Sequence, residues 1–176
     1  MIFDGHWKWE VQKLSWELLV WNKLLFPTEY AEHRLNRAIL YSATILRKII
    51  EDEIEAVEIL QKDGAKLPHS MLRHEMLLDT KIPAIRYPYT GQEGWSLRSK
   101  LYPENYGIGF KVELTVKEVC NWLLHSCVWS LAKESDKKSY AGFCVASDYD
   151  REKYVHVIRF ADWLTVLKLC VDQSLF

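Results

Sequence analysis

No hydrophobic run in this sequence approaches the roughly 18 residues that a membrane-crossing helix requires, because Lys and Glu break each apolar stretch after a few residues. A membrane span is therefore not expected. The first ten residues, MIFDGHWKWE, lack the basic and then apolar order of a secretory signal, which points to a cytoplasmic protein. An excess of charge is missing as well. The chain carries 23 Lys and Arg against 24 Asp and Glu, a formal net charge of -1. No whole-molecule field draws it to nucleic acid or to an anionic membrane, and only a local basic patch is left open.

Metal-binding cysteine spacing is also lacking. The four cysteines, Cys120, Cys127, Cys144 and Cys170, form no CxxC. Cys120 and Cys127 lie seven residues apart on one predicted helix, about 10.5 Å by the helical rise, which is too far for a mutual disulfide. Cys144 falls in an apolar strand pattern and Cys170 in an apolar helical one, the usual homes of inert buried thiols. Structural zinc needs closer ligand pairs. No metal and no cofactor are expected.

Other motifs fail in the same way. Gly91, Gly94, Gly107 and Gly109 have neither the lysine nor the spacing of a phosphate-binding loop. Asp148 and Asp150 begin like a calcium loop, but the required glycine and terminal glutamate do not follow, so DYDRE reads as turn chemistry. There is no GxSxG elbow, and Cys120 and Cys127 lie in an apolar stripe, which makes a Ser or Cys hydrolase a distant reading. No internal repeat or low-complexity tract appears.

What is present is enough for one core. A chain of 176 residues with 49% hydrophobic and 27% charged content fits a single domain. Residues 6 to 26 read as a first helix, ended by Pro27. Thr28 is a plausible N-cap for a second helix from Glu29 to Lys62, closed by Asp63-Gly64. Leu35, Ala38, Ile39, Ile45, Leu46, Ile49, Ile50, Ala56, Val57 and Leu60 recur there at helical spacing. At 34 residues this helix spans roughly 50 Å, a length suited to a helical hairpin or to pairing with another subunit. KIPAIRYPY and GIGFKVELTV read as strands, the first demoted to an edge or irregular strand by Pro83 and Pro88. The segment between them is a long loop, a candidate cover for a site. SYAGFCVASDYDREKYVHVIRF reads as a β-hairpin, and residues 161 to 171 as a closing helix.

The expected architecture is thus α+β in one domain over 1–176. It comprises a helical core over 6–63 and 116–132, a β-rich insertion over 79–115, and a hairpin with its helix over 139–171. The eight tryptophans do not share one platform. Trp7, Trp9, Trp16 and Trp21 belong to the first helix, Trp122 and Trp129 to the central one and Trp163 to the last, which suits core or interface filling.

The run Val116 to Leu131, VKEVCNWLLHSCVWSL, reads as a helix apolar almost all round that nevertheless carries Asn121, His125 and Ser126. A helix of that kind is buried, and buried polar groups need partners. Asn121 and His125, four residues apart, project from one side of it. His125 suits acid or base work because its unperturbed pKa of about 6.5 leaves both forms available near neutrality. On the second helix, Ser42 and Glu53 interrupt the apolar stripe, and Arg47 and Glu51 sit four apart at its rim. The bland reading of Arg47 and Glu51 is a solvated ion pair. The sharper one has them, or Glu53, holding Asn121 and His125. His156 lies in a strand and His69 and His74 in a loop region, with nothing in the sequence to bring them to His125.

A long helix containing RLNRAILYSATILRKIIEDE followed by a helix containing CNWLLHS resembles the HEPN superfamily of helical nucleic-acid enzymes and their inactive relatives. The family motif is an Arg, a polar residue, three variable residues and a His. Asn121 and His125 match its polar and His positions, and Cys120 stands at the Arg position. The resemblance covers the two helical segments, under half the chain. It implies metal-independent RNA cleavage with His125 acting on a ribose 2′-hydroxyl and Asn121 orienting it, and it leaves open which cation takes the missing Arg's work. Arg47, Arg37 and Arg34 are the candidates, and dimerisation is a further route.

Two functions follow as expectations. One is a non-catalytic HEPN-like interaction protein acting through homodimerisation or a protein partner by its long helix and its tryptophan-rich first helix. The other is a HEPN-like ribonuclease, a toxin or defence component with RNA as partner. The absence of Arg at position 120 and the near-neutral charge favour the first.

Overall fold

A computed structural model describes residues 6–23, 28–64, 77–89, 107–125, 129–133, 139–147 and 153–171. Helix α1 spans His6–Trp21 and helix α2 spans Glu29–Lys62. The Thr28 hydroxyl accepts from the Ala31 amide at 3.2 Å, satisfying one of the orphan donors of the first turn of α2. Asp63 caps the other end, and Gly64 follows with φ +64°, a left-handed conformation that glycine adopts without steric penalty. Leu35, Ala38, Ile39, Ala43, Ile45, Leu46 and Ile50 of α2 are buried. Beyond Ile50 no described side chain of this helix is fully buried, although Ile54 still packs against the core. An ion pair of 2.6 Å between Arg34 and Glu17 ties α2 to α1.

The strands form one sheet. They are β1 Lys81–Pro88, β2 Phe110–Thr115, β3 Trp129–Lys133, β4 Tyr140–Val145 and β5 Tyr154–Arg159, in the order β2-β1-β5-β4-β3. Every neighbouring pair is antiparallel. Helix α3 covers Val116–His125 and helix α4 covers Phe160–Cys170. Strand residues alternate between faces. Ile82, Ala84, Leu114, Phe143, Val145 and Ile158 therefore join one core with the buried residues of all four helices, centred on Phe143, Phe160 and Trp163. Tyr87, Cys144 and Val155, on the opposite face, form a small separate cluster with Ala146. The architecture is α+β, as the sequence implied.

Several details differ from the sequence reading. The helix expected over 116–132 ends at His125, and Trp129 to Lys133 instead forms an edge strand on β4, with Leu131 opposite Phe143. An apolar run reads equally as buried helix or buried strand, and pairing with β4 decides it. Trp122 and Trp129 are therefore not on one helix. The strand β1, expected at an edge, is interior: Pro83 falls just before the Ala84 to Pro88 stretch that pairs with β5, and Pro88 closes that stretch. The two β elements expected to be separate join through the β1–β5 ladder. Helix α1, expected to run to residue 26, ends at Trp21, with Asn22 and Lys23 already in a turn; Pro27 lies outside the described residues, as do Cys127, the 90–106 part of the loop and the DYDRE turn.

Candidate functional site

Helix α3 starts with a reciprocal cap. The Thr115 hydroxyl accepts from the Glu118 amide at 3.2 Å, and Glu118 Oε2 accepts from the Thr115 amide at 2.7 Å. This fixes the helix start and hence the rotation of its faces. Val116, Val119, Cys120 and Leu123 turn into the core. Asn121 is left half-buried and His125 exposed at the last turn. Burial of both, expected from an all-round apolar helix, is not observed, because the helix is amphipathic once its apolar C-terminal half is given over to β3.

The site is built where α3 ends against α2. Arg47 Nη1 donates to His125 Nε2 at 2.5 Å, and Arg47 Nε donates to Glu51 Oε1 at 2.7 Å. A guanidinium only donates, so this contact uses the lone pair of Nε2. The guanidinium holds the Glu51 carboxyl below its ordinary range. Lys48 pairs with Asp52 at 2.6 Å one residue further along α2. Arg47 and Glu51 remain partly open to solvent, at 31% and 48% exposure, so the group is reachable from outside. Asn121 lies one helical turn before His125 on the same side and makes no hydrogen bond to a described residue.

Of the other sequence candidates, Arg34 is engaged with Glu17, and Arg37 is exposed. Only Arg47 among the three reaches His125. Ser126 and the side chain of Glu53 lie outside the described residues. Cys120 is fully buried and its thiol is pushed far up by burial, so it supplies neither charge nor a nucleophile. Cys144 and Cys170 are likewise pushed up by burial, to about 11 and about 12. No group of three His, Cys, Asp or Glu suited to a metal ion occurs among the described residues.

His156 was not connected to α3 by any sequence signal, yet the fold stacks it on Trp122, with ring centroids 4.7 Å apart and planes 25° apart. It is buried and accepts from Arg86 Nε at 2.8 Å. The Arg86 guanidinium in turn lies over Phe110 and Tyr154. Arg86, Phe110 and His156 are direct cross-strand neighbours on β1, β2 and β5, so register alone gathers them. This cluster anchors the outer side of α3 to the sheet.

A second group, also invisible in sequence, surrounds a hollow of about 310 Å³ between α2 and β3–β4, lined by Glu32, Asn36, Trp129, Ser130, Leu131, Lys133 and Tyr140. Tyr140 donates its hydroxyl to Glu32, 108 residues away in sequence. Nothing local to either residue announces that contact.

No comparison matched. Neither a protein-family model, a curated protein nor a solved structure was found similar to this chain. Chemistry at the α2–α3 junction is therefore what bears on function, together with the observation that, among the described residues, no helix is long and apolar enough to cross a membrane.

Proposed function

We propose that this protein is a metal-independent ribonuclease of HEPN-like type, with His125 as general base, Arg47 as the phosphate-binding cation and Asn121 as a positioning residue. The observation that carries this reading is the contact between Arg47 and His125, which supplies from α2 the cation lacking at Cys120. In the free protein the Nε2 lone pair is occupied by Arg47. A substrate phosphate competes for the guanidinium, whose planar fork suits it, and its arrival releases Nε2. His125 then takes the proton of a ribose 2′-hydroxyl as that oxygen attacks phosphorus. The bond from phosphorus to the 5′-oxygen breaks, and the leaving oxygen takes a proton from water. The products are a 2′,3′-cyclic phosphate and a 5′-hydroxyl. Arg47 stabilises the charge that grows on the phosphorane oxygens.

The test is cleavage of labelled total RNA and transfer RNA with no added metal by the wild type, His125→Ala and Arg47→Ala, with thermal melts in parallel. Loss of a wild-type activity in both variants at unchanged melting temperature supports the reading. Absence of any cleavage by the wild type removes it.

A second reading, a non-catalytic interaction protein that forms a homodimer or binds a protein partner, is favoured by a separate observation. Trp9, Trp16 and Val20 of α1 are all more than half exposed, at 58%, 57% and 54%. They recur at helical spacing, giving α1 an apolar outer stripe. Sedimentation at rising concentration, with Trp16→Lys as comparison, tests it: a monomer throughout removes the homodimer.

A further inference from the structure

Strand β2 is an outer strand of the sheet among the described residues, and its free edge carries a self-complementary sequence. The backbone bonds around β1 show which groups point outward. The Tyr89 amide, just past β1, donates to the Lys153 carbonyl at 2.7 Å on the β5 side, whereas the Pro88 carbonyl accepts from the Gly107 amide at 2.9 Å on the β2 side. Backbone groups of successive strand residues alternate between the two neighbours, so Ile82, Ala84 and Arg86 bond β2 through Leu114, Val112 and Phe110. Lys111 and Glu113 then turn their N–H and C=O groups to the free edge. The Thr115 amide, next in that series, is accordingly taken by the Glu118 carboxylate at 2.7 Å. Phe110, Lys111 and Glu113 are exposed, and Ile108, just before the strand, is 93% exposed. The other outer strand, β3, carries a register shift between Ala132 and Lys133, one of the usual defences of a sheet edge. Strand β2 pairs along its whole length without one.

We infer that β2 pairs with β2 of a second copy of this chain, antiparallel about a two-fold axis through Val112, so that two five-stranded sheets become one continuous sheet. The sequence around Val112 reads Phe, Lys, Val, Glu, Leu. In that register Lys111 of each copy stands directly opposite Glu113 of the other. These are the residues whose backbone groups point outward, so they form the hydrogen-bonded pairs, and their side chains form two ion pairs on the outer face of the sheet. Phe110 stands opposite the second copy's Leu114, and Val112 opposite its counterpart, on the face that carries the helices. A slip of one residue would put side chains on the wrong face. Centring the axis on Lys111 or on Glu113 keeps the faces but sets like charges opposite each other, so charge selects the Val112 register. Charged residues on an edge ordinarily keep other strands away. Here they complement their own copies, and among the described residues neither has an ion-pair partner within the chain. The surface is separate from the α1 stripe and from the contact between Arg47 and His125, and the inference rests on neither reading of function.

Sedimentation velocity of the full chain at rising concentration in low-salt buffer, with circular dichroism to confirm folding, tests this pairing. The wild type is expected to dimerise. Lys111→Glu sets carboxylate against carboxylate across the axis and Glu113→Lys sets ammonium against ammonium, and each is expected to weaken the dimer at least about tenfold. Both side chains are exposed, so each variant keeps its fold. An equimolar mixture of the two variants has only opposite charges across the axis and is expected to recover wild-type association, as is the double variant Lys111→Glu/Glu113→Lys. A role confined to the monomer would not give that rescue. A monomeric wild type, single variants that associate as the wild type does, or weakened association restored by neither the mixture nor the double variant overturns the inference. A dimer lost in Trp16→Lys and untouched by both β2 variants belongs to the α1 stripe and overturns it as well.

Discussion

Trp163 donates its indole N–H to the hydroxyl of Ser42 at 2.9 Å, and both residues are completely buried. The Ser42 hydroxyl in turn donates to the Ile39 carbonyl at 2.9 Å. A polar residue in the middle of the apolar stripe of α2 is thus the acceptor that lets a tryptophan of α4 fill the centre of the core. Ser42→Ala leaves that indole N–H buried without a partner and is expected to cost about 1–3 kcal/mol, read as a lower urea midpoint at unchanged slope.

Arg47 and His125 are solvent-accessible, so their replacement should barely move stability, within about 0.5 kcal/mol. On the proposed chemistry, His125→Ala lowers RNA cleavage by about 10²–10⁴-fold. Arg47→Lys keeps the charge but loses the fork, and is expected to recover only part of the activity lost in Arg47→Ala. A cleavage assay on all three, normalised to the folded fraction, gives the ratios.

The half-buried thiols of Cys144 and Cys170 predict a loss of stability in alkali. Burial raises Cys144 from the ordinary 9.0 to about 11 and Cys170 to about 12. Above pH 9 the unfolded chain loses these protons while the folded chain keeps them, so the unfolded state is favoured as pH rises. Stability should be flat with respect to these groups below pH 9. It should then fall toward about 11 for Cys144 and about 12 for Cys170, each contributing roughly 1.4 kcal/mol per pH unit at most. Urea melts from pH 8 to 11 of the wild type and Cys144→Ala give the test, the variant showing the shallower decline. Cys120, which is fully buried, is expected to resist iodoacetamide at pH 8 until the protein is unfolded, as mapped by peptide mass spectrometry.

Gly142 lies opposite Arg159 on the β4–β5 ladder, and a side chain there would collide with the carbonyl oxygen of Ile158. That neighbour is backbone in the middle of the sheet and cannot swing aside. Gly142→Ala is expected to destabilise by on the order of 3 kcal/mol, measured by thermal melting.

The cap at the start of α3 is worth less. Thr115→Ala removes the hydroxyl that accepts from the Glu118 amide and is expected to cost about 1 kcal/mol by urea titration.

Local chemistry made part of this protein legible in advance. Thr28 and Asp63-Gly64 bound α2 because caps act over one turn, and its apolar stripe sets its buried face because helical period is a local property. The hairpin of β4 and β5, the closing helix α4 and the i,i+4 pair of Arg47 with Glu51 follow for the same reason. Where the alternatives were equal in local terms, tertiary contact decided. The apolar run after His125 satisfies a strand as well as a helix, and β4 took Trp129 to Lys133 into the sheet. Pro83 reads as an edge marker, yet the ladder with β5 begins just after it. Asn121 and His125 were legible as a pair on one helix face and Arg47 as one of several side chains that could reach them, but the choice of Arg47 over Arg34 and Arg37, the exposure of His125, the stacking of Trp122 on His156 and the meeting of Glu32 with Tyr140 were not. Those contacts depend on how helices pack on a sheet, which no stretch of sequence a few turns long encodes.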